Sequence, residues 1–166
     1  MRQTFDETTD PSFGARHLPL LRARMAEQGL DGFLIPHEDE HQNEYLPRAN
    51  DRLAWATGFT GSAGAAMVLK DSAVVFVDGR YKLQVRDQVD PGLFAFGELI
   101  DEGGLPGWLA QQPLNGQVIG YDPRLHSPDA IAKLQGAASK AGARLAPVDP
   151  NPVDQAWGEE RPAQPK

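Results

Sequence analysis

The sequence predicts an α/β fold built on one mixed sheet with helices on both faces. Three observations carry that prediction. Short apolar runs such as "GFLIP", "QVIGY" and "ARLAPV" alternate with longer segments of helical spacing, the pattern of a layered α/β unit. Two further apolar runs flank Lys70-Asp71 as a hairpin would, which puts an antiparallel pair into the sheet. The 166 residues, 40% of them hydrophobic, suffice for a single domain with its own core.

Each element has its reason. Residues 1–12 are polar and acidic, and are expected to form a flexible arm. In "ARHLPLLRARMAEQGL", Leu18, Leu21 and Met25 share one helical face and Gly29 supplies a C-cap; Pro19 is expected in the first turn, where its missing N–H has no helical partner. "GFLIP" is a short strand stopped by Pro36. The polar stretch "HEDEHQNEYLPRAND" reads mostly as loop. "DRLAWATGF" is a short helix with Asp51 as N-cap. The hairpin follows, then a helix over about Tyr81–Val89, a strand near Leu93–Phe96, a helix near Leu105–Gln111 and a strand at Gln117–Tyr121. "SPDAIAKLQGAASKAG" is the clearest helix, with Ser127 as N-cap, Pro128 at the first position and Gly142 beyond the end. "ARLAPV" closes the sheet. Prolines 147, 150, 152, 162 and 165 then mark a change of composition. The expected organisation is an arm over 1–12, the α/β domain over 13–149, and a proline-rich linker over 150–166 that is poorly packed, with Trp157 as the residue to watch because so large an aromatic needs cover.

Composition excludes several roles. A net charge of −7 opposes binding to nucleic acid and to anionic membranes. No apolar run reaches the roughly 20 residues that span a bilayer. The absence of cysteine removes disulfides, thiolate metal sites and cysteine nucleophiles. With no apolar signal segment at the start, the expected compartment is the cytoplasm.

Three motifs merit a chemical test. "GFTGSAG", residues 58–64, spaces glycines like a phosphate loop. It lacks the glycine a dinucleotide fingerprint needs at position 60 and the lysine of a P-loop, and Gly61-Ser62 breaks the nucleophile-elbow pattern. It also leaves a helix and enters a strand, so the wrong end of the helix dipole faces an anion. The glycines are therefore expected to serve positive φ and close backbone approach. "HEDEH", residues 37–41, formally matches a zinc-protease motif, but it follows a strand and a proline and lacks the apolar residues that would bury such a helix. A solvated acidic loop is the simpler reading, and a small zinc hydrolase remains the sharper alternative. "VDGRY", residues 77–81, puts Asp78, Arg80 and Tyr81 at a strand-to-helix turn, where they serve either as a cap or as a contact surface.

Taken in order, "GLDGFLIPHEDEHQNEYL", "DRLAWATGFTGSAG", "VVFVDGRYKLQ" and "NPVDQAWGEERPAQP" closely resemble the N-terminal domain of the long, three-domain Xaa-Pro aminopeptidases (aminopeptidase P), in the creatinase/prolidase superfamily of metallopeptidases. The likeness runs from about Leu18 to the end. It implies a ribonuclease H-like α/β domain belonging to an enzyme that removes the residue preceding a proline at a peptide N-terminus. It implies that the chemistry, with two divalent metals, manganese in most members, sits in a catalytic domain outside this chain. No catalytic or metal-binding residue is therefore assigned here, and the chain alone is expected to be inactive and to hold no cofactor. The implied partners are the second and catalytic domains, further copies of the same chain in an oligomer, and a proline-containing peptide. The residues expected at the substrate rim or at an interface are Phe59, Gly61, Ser62, Arg80 and Tyr81. The alternative is a free-standing binding module of the same fold without peptidase activity.

Overall fold

In the computed structural model, residues 12–36, 52–59, 64–77, 82–98 and 104–158 are described. The helices are α1 (Ser12–Glu27), α2 (Arg52–Thr57), α3 (Lys82–Gln88), α4 (Gly104–Ala110), α5 (Pro128–Lys140) and α6 (Pro152–Trp157). The strands are β1 (Gly32–Pro36), β2 (Gly64–Leu69), β3 (Ala73–Val77), β4 (Ala95–Glu98), β5 (Val118–Tyr121) and β6 (Arg144–Pro147). A 3-10 turn at Pro123–Leu125 joins β5 to α5.

The strands form one sheet in the order β4-β3-β2-β1-β5-β6. β2 runs antiparallel to both of its neighbours, and the other adjacent pairs are parallel. The hairpin expected around Lys70-Asp71 is the β2–β3 pair, in which Gly64 faces Val77 and Val68 faces Ala73. Because successive strand residues point to opposite faces, the apolar runs feed two cores. Phe33, Ile35, Ala66, Val68, Val75 and Val77 pack with Leu18, Leu21 and Met25 of α1 and with α2, α3 and α6. Leu34, Met67, Val74 and Phe76 pack on the other face with α4 and α5. Continuous apolar strands such as "AVVFV", buried throughout, are what a sheet covered on both sides requires.

α5 has the expected ends: Ser127 Oγ accepts from the Ala130 N–H, and Pro128 opens the helix. Among the described residues no helix is long and apolar enough to cross a membrane.

Two expectations are corrected. Pro19 does not sit in a first turn; α1 starts at Ser12 and runs through it. Ala15, whose carbonyl loses its helical donor, and Pro19 are both exposed, so the cost falls on the solvent side. Buried Leu18 and Leu21 hold the helix to the sheet across the proline. The looseness expected after Pro150 does not hold for residues 151–158. Asn151 caps α6, and Pro152, Val153 and Trp157 are buried. Pro152 starts a helix there instead of breaking one.

Candidate functional site

The stretches singled out in the sequence attach to one end of the sheet. Pro36, last in β1, faces Ala65 near the start of β2; Gly64 faces Val77, last in β3; and Val77 stands beside Glu98, last in β4. The described chain thus breaks off at residues 36, 77 and 98, and resumes at 64, at that one end. The connecting residues lie outside those described. With them lie "HEDEH" and four of the residues expected at a rim: Gly61, Ser62, Arg80 and Tyr81.

The described flank of the glycine stretch is firmly held. Thr57 Oγ1 donates to the Leu53 carbonyl (2.7 Å) and accepts from the Phe59 N–H (3.0 Å), closing the end of α2. Gly58 sits at φ +92°, a conformation that L side chains rarely adopt. A Cβ on Gly64 would stand 2.8 Å from Phe59 Cε2 and 3.1 Å from Leu53 Cδ2. The glycines at both ends therefore serve backbone conformation and close approach, as the sequence indicates. Phe59 itself is wholly buried in the first core. Its ring anchors the stretch; it does not present a surface.

α2 is clamped from behind by Arg52, Asp154, His17 and Trp55, whose roles the sequence did not reveal, and by Trp157, which finds here the cover it was expected to need. The Arg52 guanidinium, 1% exposed, makes a bidentate pair with Asp154 of α6, Nε to Oδ1 at 2.7 Å and Nη2 to Oδ2 at 3.1 Å. The His17 ring of α1 stacks on Trp55 of α2 with centroids 4.2 Å apart, and Trp55 in turn lies 5.9 Å from Trp157. His17 Nδ1 also hydrogen-bonds the Trp55 carbonyl. One available signal was "NPVDQAW": Asn, then Pro, then an acid in the first turn is a helix-start signature. Nothing in the spacing announces that Asp154 meets Arg52, 102 residues away.

A second polar network ties β5 to α6. Asp122, 1% exposed, accepts from the Arg124 N–H, from Arg124 Nε and Nη2, and from Asn151 Nδ2 at 3.1 Å. Burial works against its charge, yet these hydrogen bonds and the guanidinium outweigh it and hold its pKa below the usual carboxylate range. His126, four residues on, is largely enclosed. Burial pushes its pKa down, with the Asp122 charge a smaller opposing influence.

Among the described residues no group of three His, Asp or Glu side chains is placed to hold a metal ion. The arrangement is that of a rigid scaffold whose loop attachments gather at one sheet end. In class it is an α/β domain with one mixed six-stranded sheet between two layers of helices. The family model of the Creatinase/Prolidase N-terminal domain matches residues 18–155, and the chain belongs to that family. It is 37% identical over 170 aligned residues to the "Probable Xaa-Pro aminopeptidase P" of Arthroderma otae, covering 99% of this chain and 27% of that one. The corresponding protein of Neurospora crassa is 38% identical, covering 99% and 24%. Among solved structures, X-prolyl aminopeptidase from Caenorhabditis elegans, described as a cytosolic enzyme with a di-nuclear active site, superposes with a TM-score of 0.80 at 29% identity over 90% of this chain and 26% of that one. The N-terminal domain of the cytoplasmic peptidase PepQ from Mycobacterium tuberculosis superposes with a TM-score of 0.65 at 26% identity, covering 86% and 98%. The chain thus spans about a quarter of the length of the curated relatives it matches.

Proposed function

We propose that this chain is the non-catalytic N-terminal domain of a cytoplasmic Xaa-Pro aminopeptidase, and that it forms part of the substrate rim and helps assemble the oligomer. The observation that carries the reading is coverage: nearly the whole chain matches about a quarter of each aminopeptidase P relative. The chemistry then belongs to the remaining three quarters, with two divalent metals, manganese in this reading. The di-nuclear site ascribed to the C. elegans neighbour supports this. No residue of this chain is assigned to that metal. Its part is mechanical: strand ends fixed by two cores hold Pro36, Gly64 and Val77, to which the 37–51, 60–63 and 78–81 stretches attach, at one end of the sheet that a neighbouring domain or subunit would meet.

Arg80 is the residue to test. A guanidinium offers a planar fork of donors suited to a carboxylate of peptide or partner. In a full-length relative, Arg80→Ala raises KM or lowers kcat with little change in Tm. A fall in Tm with kcat/KM intact would instead make Arg80 a local cap, and unchanged kinetics in an intact oligomer would overturn the rim assignment.

A further inference from the structure

A cavity of about 330 Å3 opens where the end of β1 meets the first turns of α4 and α5. Its position follows from the topology. β1 and β5 are parallel neighbours, and the chain continues from β1 towards β2 on one side and from β5 towards β6 on the other. The crevice beyond the carboxyl ends of two such strands is where open α/β sheets place ligands. The size lies at the low end of the roughly 300–1,000 Å3 of small-molecule sites, which fits a molecule of amino-acid size.

The lining has three parts. Leu34, Leu105 and Leu134 form an apolar interior. His126 stands in the wall, but its Nε2 has no accessible surface and makes no hydrogen bond among the described residues, so the ring meets the cavity through its other atoms. Asp129 and Lys133, one helical turn apart on α5, also line the cavity. This spacing and order favour an ion pair on a helix, yet neither side chain makes one among the described residues. An apolar chamber carrying both an anion and a cation is complementary to a molecule with an apolar body and two opposite charges.

We propose that this cleft binds a free α-amino acid with a branched aliphatic side chain. The side chain enters among the three leucines, the carboxylate meets Lys133, and the ammonium meets Asp129. The cleft shares Pro36 and Ala65 with the sheet end at which the proposed rim stretches attach, and its binding is read on this chain alone.

The test uses the 166-residue chain with three probes: L-leucine, leucinamide, which lacks the carboxylate, and 4-methylvalerate, which lacks the ammonium. Amide chemical shifts are followed during titration. L-leucine is expected to give saturable shifts in the first turns of α4 and α5. Lys133→Ala weakens L-leucine roughly tenfold and leaves leucinamide unchanged, while Asp129→Asn weakens L-leucine and leaves 4-methylvalerate unchanged, one tenfold step corresponding to ~1.4 kcal/mol. Ala130→Leu, which fills the mouth from an exposed-side helix position, abolishes all shifts. The proposal is overturned by the absence of saturable shifts at about 10 mM L-leucine, a level at which a millimolar site would be mostly filled. Shifts that survive both Lys133→Ala and Ala130→Leu would also overturn it. So would shifts that track protein concentration, which would mean that a second copy of the chain fills the cleft.

Discussion

Replacing Asp154 by alanine removes one half of the clamp that positions α2. Arg52 is 1% exposed and Asp154 18%, and two hydrogen bonds join them. Removing one member of a buried ion pair costs about 3–5 kcal/mol. Water reaches the Asp154 side and Arg52 has a further interaction besides this pair, so the lower end applies, about 3 kcal/mol. For a domain of this size each kcal/mol lowers Tm by roughly 2–4 °C, which gives a fall of about 6–12 °C. The assay is thermal unfolding by far-UV circular dichroism, paired with urea denaturation. The double variant Arg52→Met with Asp154→Leu separates the charge from the packing, because it removes both ions and keeps apolar bulk. It should recover at least half of the loss, since buried pairs exchanged for hydrophobic groups are often neutral. A cost below about 1 kcal/mol for Asp154→Ala would refute the reasoning, because it would place the pair in the range of exposed salt bridges. So would a double variant no more stable than the single one.

Three further outcomes follow from the same geometry. Gly64→Val drives a side chain into the Phe59 ring and Leu53, and should cost about 1–3 kcal/mol by urea denaturation. Asp122→Ala leaves the Asn151 amide without the acceptor shown at 3.1 Å, and should cost about 1–3 kcal/mol. Because the folded pKa of Asp122 is depressed, its contribution is fully present above the ordinary carboxylate pKa and is lost as pH falls through the lower folded value, so acid titration of the wild type and the variant should converge below about pH 4. His126 has the same sign: its folded pKa is lowered, so the unfolded chain takes up the proton first. Stability should decline as pH falls below about 6.5, and in His126→Leu that part of the slope should vanish from pH-dependent melting curves.

Much of the local chemistry was legible in the sequence, the Asn151-Pro152 helix start being the exception. The hairpin, the Ser127-Pro128 helix start and the alternation of apolar runs with amphipathic segments rest on propensity, period and capping, all encoded within a few residues. The reading of Gly58 and Gly64 holds for the same cause: positive φ at Gly58 and close approach at Gly64 are requirements that only glycine meets. The likeness to the aminopeptidase P family was legible too, because four characteristic stretches occur in order. Tertiary structure decided the rest. Pro19 could stand mid-helix because Leu18 and Leu21 are buried on the opposite side from its lost hydrogen bond. "NPVDQAW" became a packed helix because Arg52 and Trp55, a hundred residues earlier in the chain, supply a charge partner and a stacking surface. Phe59 turned inward because the sheet left a space bounded by Gly64 and Leu53. A contact between residues so far apart depends on how the sheet orders its strands, and no local window of sequence carries that information.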